Sequence, residues 1–516
     1  MQFLSKIDGE PLLSPDHLTR VFGDVVSTRD IEFEEDLTRD LAPGIVWRRR
    51  RLRFQVGENR ALERLCINIV EVDPSIARVE PALAMEHAQL AQQHELEDTY
   101  WATAWAEGAV RGSWGLRDPR LFVDTLPIQL GTHPDAPVAA EKLFQESTRE
   151  SSQQHFRMIG HSLDGLRTHF VEGHNPTGNC GLVRMLPAIP ASRLGQSRGS
   201  IVAVSAAGFY LNFPEEYRDG YSSLHQPIGC VQIEDRLASP PWVERPCYIG
   251  GADRSVTLGL VGPEHIRLRL DGDFEEIALH RGIQQRGAHG AVWRAWDPPP
   301  TPSEGTGALL FSGSILLAWG PAEKIGKPPV GGAVVWLTGA AGDYIREKTT
   351  RPRATLRVEI PEVRDVHCVV AGGPILVRDG EVTRGDAILS SGHAGEFHKG
   401  GPPPSRFPYD ADRTRAPRTA MGVTASGHLQ IVVVDGRRAG EHSAGLTLVG
   451  LAELCHLLGH QDSLTLDGGG SAVLALEGVS RLDGLTEMVP LGVVNIPSDG
   501  HGKERLLPVL MTVVSE

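Results

Sequence analysis

No stretch of about 18 consecutive apolar residues occurs in this chain, so no membrane-spanning helix is expected. The opening Met1-Gln2-Phe3-Leu4-Ser5-Lys6-Ile7-Asp8 turns polar at once and lacks the apolar core of a secretion signal, which sets the expectation of a cytoplasmic protein. Cysteine is sparse. Cys66, Cys180, Cys230, Cys247, Cys368 and Cys455 stand apart with no CxxC pair and no zinc spacing, so reduced, mostly buried thiols are expected. Positive charge is short as well: the net charge of −14 argues against a nucleic-acid surface, which clustered Lys and Arg would have to supply. The one basic run, Arg48-Arg49-Arg50-Arg51-Leu52-Arg53, reads as a solvated strand or loop face. There is no internal repeat and no low-complexity tract.

What is present is an ordinary globular composition, 41% hydrophobic and 22% charged, over 516 residues, enough for two or three domains or one elaborated unit. Pro298-Pro299-Pro300 and Gly400-Gly401-Pro402-Pro403-Pro404 mark surface loops. Between about Glu86 and Arg184 the texture becomes rich in His, Gln and Trp, with Trp101 and Trp105 at helical spacing, which predicts a mostly helical insertion.

The most informative segment is Leu466-Asp467-Gly468-Gly469-Gly470-Ser471-Ala472, where an apolar run stops at a carboxylate, three glycines and a hydroxyl. Three successive glycines are costly in backbone entropy and fit a tight turn or a close approach to a ligand. Their N–H groups can form a nest for an anionic oxygen, while a tight strand connection with an Asx turn is the structural alternative. Upstream, His428 to Val434 reads as a buried strand ending at Asp435-Gly436. A helix follows on Leu448, Leu451, Ala452, Cys455 and Leu458, with Thr447 near its N-cap and Gly459 as its stop. Ser463 to Leu466 is the next strand. If the unit is a parallel βαβ crossover, Asp435 and Asp467 emerge at the same sheet edge. Two further runs, Ile201 to Val204 and Val369 to Ala371, also end at glycines, which suggests one shared crevice outside the strand ends. The expected fold class is α+β, a mixed β-sheet core with flanking helices, the C-terminal βαβ unit and the helical insertion.

Taken in order, these segments resemble the phosphodiester glycosidase family. Pro43-Gly44-Ile45 and Ile67 to Asp73 look like its opening; Ala206-Ala207-Gly208-Phe209-Tyr210 looks like its Asn-Gly-Gly-Phe-Phe turn. Gly372-Gly373-Pro374 precedes the hairpin-like Leu376-Val377-Arg378-Asp379-Gly380. Arg418-Thr419-Ala420-Met421-Gly422, Val433-Val434-Asp435-Gly436-Arg437, Gly445-Leu446-Thr447-Leu448, Leu466 to Ser471, Val494-Asn495-Ile496-Pro497-Ser498-Asp499-Gly500 and Arg505 complete the series. Three positions depart from the family: Ala206 for its asparagine, Gly450 for a glutamate and Ala472 for a serine. Each removes a polar group from the implied pocket.

The resemblance implies residues 1–41 as an N-terminal extension and 42–516 as the glycosidase-like domain, with the insertion at about 86–184 inside it. It implies hydrolysis of the anomeric C–O bond of a sugar phosphodiester or related glycoconjugate. That reaction passes through an oxocarbenium-like transition state with a phosphate leaving group, and needs a cation for the phosphate and a carboxylate for the sugar or the water. Asp467 and Asp435 are the candidate catalytic carboxylates, with Arg418 as the phosphate-holding cation. Gly468, Gly469, Gly470, Ser471, Gly208, Phe209, Gly372, Gly373, Asp499, Arg505 and His442 are candidate substrate contacts. A salt bridge from Arg418 to Asp435 or Asp499 is the structural alternative. The expected partner is a small sugar phosphodiester or nucleotide sugar, with no nucleic acid, no membrane and no cofactor. Two alternatives stay open. A metal-dependent phosphodiesterase could use Asp435, Asp467 and Asp499, although no ligand motif accompanies them. A non-catalytic sugar-phosphate binding protein would account for Ala206 and Gly450.

Overall fold

Closely spaced turns decide the architecture. Gly44, at φ +71°, folds the strand Glu32–Ala42 and Ile45–Val56 into a hairpin, and Asp379-Gly380 does the same for Ile375–Arg378 and Glu381–Val382. Two adjacent residues of positive φ twist a two-residue turn in the sense the flanking strands need.

The computed structural model describes residues 14–22, 31–57, 61–84, 156–163, 166–174, 180–185, 188–194, 201–210, 223–224, 227–234, 236–271, 274, 276–281, 290–294, 301, 305–325, 328, 331–383, 414–479, 491–498 and 504–515. Among these residues the α-helices are Pro15–Phe22, Ala191–Leu194, Gly339–Glu347 and Leu448–Leu457, and strands make up most of the rest. The expected α+β class is therefore corrected to a mostly β architecture. Its physical reason is that short β-rich runs between turns pair with distant strands and bury both faces, which local periodicity does not reveal.

The helical insertion is corrected in the same way where it is described. Phe156–Leu163, Leu166–His174 and Cys180–Met185 form an antiparallel meander. Trp101 and Trp105, which carried the helical expectation, lie outside the described residues.

Among the described residues the main sheet has eight strands, all antiparallel to their neighbours, in the order Glu32–Ala42, Ile45–Val56, Ala61–Val72, Leu429–Val434, Arg418–Thr424, His460–Leu466, Ile375–Arg378 and Glu381–Val382. The expected crossover is thus modified. Leu429–Val434 and His460–Leu466 do run parallel, but Arg418–Thr424 lies between them and antiparallel to both. Asp435 and Asp467 accordingly leave the sheet at one edge.

Two five-stranded antiparallel sheets share the core with this one. Ile201–Ala206 is in the first, between Leu474–Glu477 and Val509–Ser515; Val366–Ala371 is in the second, between Val231–Ile233 and Arg245–Gly251. Trp47, Val70, Val433, Met421 and Leu466 from the main sheet pack with Val202, Leu474 and Met511 from the first, and with Val231, Tyr248 and Val370 from the second. A seven-stranded sheet, Ile266–Leu270 to Ala354–Val358 in sequence, is fed in between Val256–Val261 and Val366–Ala371 and has its own apolar core around Leu268, Leu309, Phe311 and Ile345.

On the outer face of the main sheet the helices Pro15–Phe22 and Leu448–Leu457 bury Leu18, Phe22, Leu451 and Cys455 against Leu52, Ile67 and Val432. The Leu448–Leu457 helix begins where expected, the Thr447 hydroxyl accepting from the Gly450 N–H at 3.0 Å. The arginine run is a strand, and it is ion-paired rather than simply solvated: Arg49 with Glu35 at 3.3 Å, Arg50 with Asp36 at 3.1 Å, Arg51 with Glu34 at 2.9 Å and Arg53 with Glu32. No helix is long and apolar enough to cross a membrane among the described residues.

His460 is fully buried beneath Gly422, with its Nε2 3.0 Å from Gln430 Oε1, and burial pushes its pKa down to about 3. A Cβ at Gly422 would overlap the His460 ring. Gly422→Ala should therefore cost about 1–3 kcal/mol, read as a lower urea midpoint at unchanged slope. The His460 contribution to stability is complete above the unfolded pKa of about 6.5 and is lost as pH falls toward the folded value, about tenfold in the unfolding equilibrium per pH unit. Urea titrations across that range should show a shallower acid slope in His460→Gln; an unchanged slope would show that this histidine does not set it.

Candidate functional site

The ends of Ile201–Ala206, Val366–Ala371, Leu429–Val434 and His460–Leu466 meet. The Asp467 N–H donates to the Ala207 carbonyl at 2.8 Å, and Gly373 N–H donates to Thr465 O at 2.8 Å. Gly208 lies flat against the Ala371 carbonyl, where a Cβ would stand 2.6 Å from the oxygen. The Phe209 ring sits 4.9 Å under the guanidinium of buried Arg245, whose Nε donates to Gly372 O at 2.9 Å. Gly208, Phe209, Gly372, Gly373 and Asp467 therefore share one edge of the core.

Asp467 is partly exposed, and its Oδ1 accepts from the Gly468 N–H at 2.9 Å. Gly469–Ser471 then forms a single 3₁₀ turn, anchored by the Gly469 N–H on Pro417 O at 2.9 Å. At the far end of the turn the Ser471 hydroxyl is buried. It accepts from Arg505 Nη1 at 3.2 Å and lies 3.3 Å from the Tyr210 hydroxyl. Carboxylate, glycine turn, hydroxyl and arginine thus follow one another along a few residues of backbone.

Asp435 occupies a different environment. It is 0% exposed; Oδ1 accepts from Asn495 Nδ2 at 3.0 Å, Oδ2 accepts from the Ile496 N–H at 3.2 Å, and His442 Nε2 lies 2.6 Å from Oδ2. Its own carbonyl accepts from the Ser443 hydroxyl at 2.6 Å. Asn495 also donates to Ala472 O at 3.0 Å and accepts from the Leu474 N–H at 2.7 Å, so the loop around residue 495 is stitched to the end of the glycine turn.

Cys66, Asp435 and His442 bring ligand-type atoms within 4.8 Å of one another, all buried. A cation there would have to displace donors already placed on both Asp435 oxygens and ionise Cys66. Burial pushes that thiol far up, Asp435 adds to the push, and the Arg49 guanidinium opposes it. The donor set fits a hydrogen-bonded Asp–His pair beside a protonated thiol better than it fits a metal. Burial likewise raises the Cys368 and Cys455 thiols to about 12, so neither is poised as a nucleophile.

Other expected residues are placed differently. Arg418 makes no salt bridge to Asp435: its Nε donates to Leu446 O at 2.9 Å and its Nη2 to Thr414 O at 2.8 Å. Asp499 lies outside the described residues. Two residues that sequence reasoning left without a role, Arg437 and Asn495, stand in the site, and both belong to segments that already carried the family resemblance. The departures have structural reasons of their own. A Cβ at Gly450 would overlap the Val21 carbonyl of the N-terminal helix. Ala206 is a buried strand residue opposite Leu510, and Ala472 is buried in the main core.

Comparison with curated proteins gave no match. Among solved structures, a hypothetical protein from Synechocystis aligns at 16% identity over 93% of this chain, with a TM-score of 0.44. The alignment covers 64% of that protein, so this chain spans less than two thirds of its length. A protein from Burkholderia pseudomallei K96243 described as exported aligns at 16% identity over 95% of this chain and 98% of its own, with a TM-score of 0.46. The zebrafish N-acetylglucosamine-1-phosphodiester alpha-N-acetylglucosaminidase catalytic domain, auto-inhibited by its pro-peptide, aligns at 13% identity over 70% of this chain and 83% of its own, with a TM-score of 0.32. Residues 320–514, which carry the motifs from Gly372 to Arg505, match the model of the phosphodiester glycosidase family, and for that part of the chain the resemblance is shown.

Proposed function

We propose that this protein hydrolyses the bond between an anomeric carbon and a phosphate oxygen, in a sugar phosphodiester or a nucleotide sugar. The observation that carries this reading is the sequence of groups at one strand end: Asp467 partly exposed, the glycine turn beside it, and Ser471 with Arg505 at the far end. Phosphate is a good leaving group and needs little protonation, so electrostatic stabilisation is the main demand on the site. In this reading Asp467 faces the sugar and supports positive charge at the anomeric carbon or draws a proton from water. The turn and the partly exposed Arg505 receive the phosphate, and the buried Ser471 hydroxyl accepts from Arg505 and holds it at the turn.

Asp435 is a positioning residue here. Fully buried and surrounded by donors, it is inaccessible to a sugar, and its work is to hold His442 and the Asn495 loop. Arg418, with its guanidinium on two backbone carbonyls, braces the Leu446 and Thr414 segments. The family match makes a hydrolase the coarse expectation; the sugar and the group beyond the phosphate are the finer part of the proposal.

A panel of sugar phosphodiesters and nucleotide sugars, followed by release of free sugar, tests it. Asp467→Asn should lower turnover by about two orders of magnitude with little change in stability, as for loss of a preorganised electrostatic group. Unchanged turnover in this variant would remove the mechanism, and binding without turnover by the parent would point to a binding protein instead. Asp435→Asn should behave otherwise. An amide NH₂ would then face N–H donors in a sealed site, so stability should fall by about 1–3 kcal/mol together with activity, measured by urea unfolding alongside the assay.

A further inference from the structure

Arg437 leaves the Leu429–Val434 strand two residues after Asp435, and its backbone sits at φ +61°, in the left-handed region that L side chains rarely adopt. Such strain persists only where the surroundings impose it, and it gathers at ligand sites. The side chain is exposed and reaches across to the glycine turn. Arg437 Nη1 donates to the Ser498 hydroxyl at 3.2 Å. A Cβ on Gly469 would stand 3.1 Å from Arg437 Nη2 and 3.6 Å from its Cζ and Nη1, so the guanidinium lies against the bare face of the turn. Gly469 is itself at φ +61°, a conformation its lack of a side chain permits. Two arginines therefore bracket the turn, Arg437 over Gly469 and Arg505 on Ser471.

We propose that Arg437 grips the substrate phosphate at the Gly468 to Ser471 turn, and that the strained backbone at residue 437 is retained because it aims the guanidinium there. This rests on the sugar-phosphate reading above. A guanidinium presents paired N–H donors matched to two phosphate oxygens, which a lysine ammonium cannot reproduce. As the bond to the sugar breaks, negative charge accumulates on the phosphate, so the same contact strengthens toward the transition state.

The test uses the full chain with inorganic phosphate as the probe, in calorimetric titrations of the parent, Arg437→Gly and Arg437→Lys, with urea unfolding of each. Glycine accepts φ +61° without strain, so Arg437→Gly should match or exceed the parent in stability while losing about tenfold or more in phosphate affinity. Arg437→Lys should fall between them. Parent-like phosphate affinity in Arg437→Gly overturns the proposal, and so does a parent that takes up no phosphate at millimolar concentration. An Arg437→Gly that loses stability but binds phosphate normally shows the arginine to be structural and also overturns it. Phosphate binding that depends on Arg437 in a parent that turns over no sugar phosphate supports this assignment while removing the hydrolytic reading.

Discussion

The burial of one carboxylate organises the site. Asp435 is removed from water completely, and a carboxylate in that position is tolerable only if donors surround it. The donors come from separate places in the chain, His442 from the following loop and Asn495 and Ile496 from a loop some sixty residues on. Satisfying a single side chain therefore fixes both loops relative to the Leu429–Val434 strand. Asn495 passes the constraint on to Ala472 and Leu474, just beyond the glycine turn. Behind it, Arg49 Nη1 holds Val494 O at 3.1 Å while its Nε faces Glu35, so the edge of the main sheet is tied to the same loop.

What could be read in the sequence was what is encoded locally. The β-branched run ending at Asp435, the capped helix beginning at Leu448 and the run ending at Asp467 each carry their own start and stop signals. Strand order carries no such signal. Nothing in Arg418–Thr424 announces that it separates the two strands that looked like a direct crossover. The inserted sheet escaped for a related reason: runs such as Ile266–Leu270 are short, alternate in polarity and acquire their meaning from partners far away in sequence.

The site was legible in its residue types and less so in their roles. Charge marks Arg418 and Arg437 equally, but a backbone carbonyl leaves no trace in a side-chain pattern, so the partners of Arg418 were invisible. A backbone angle is equally silent, which is why Arg437 drew no attention. Gly450 shows the converse. Read as a missing glutamate it suggested a depleted pocket, whereas the Val21 carbonyl packed on it supplies a steric requirement that has nothing to do with a ligand.

The acidic strand Glu32–Ala42 does more than neutralise the arginines beside it. Among the described residues it is the last strand on its side of the main sheet, with Phe33 and Leu37 exposed, and an edge of that length is a ready template for another chain. Glu32, Glu34, Glu35, Asp36 and Asp40 outnumber the lone Arg39, so a second copy of the strand laid alongside would set carboxylate against carboxylate. The composition that attracts the neighbouring arginine strand from within the molecule repels its own duplicate from without, and the sheet stops growing where the fold needs it to stop.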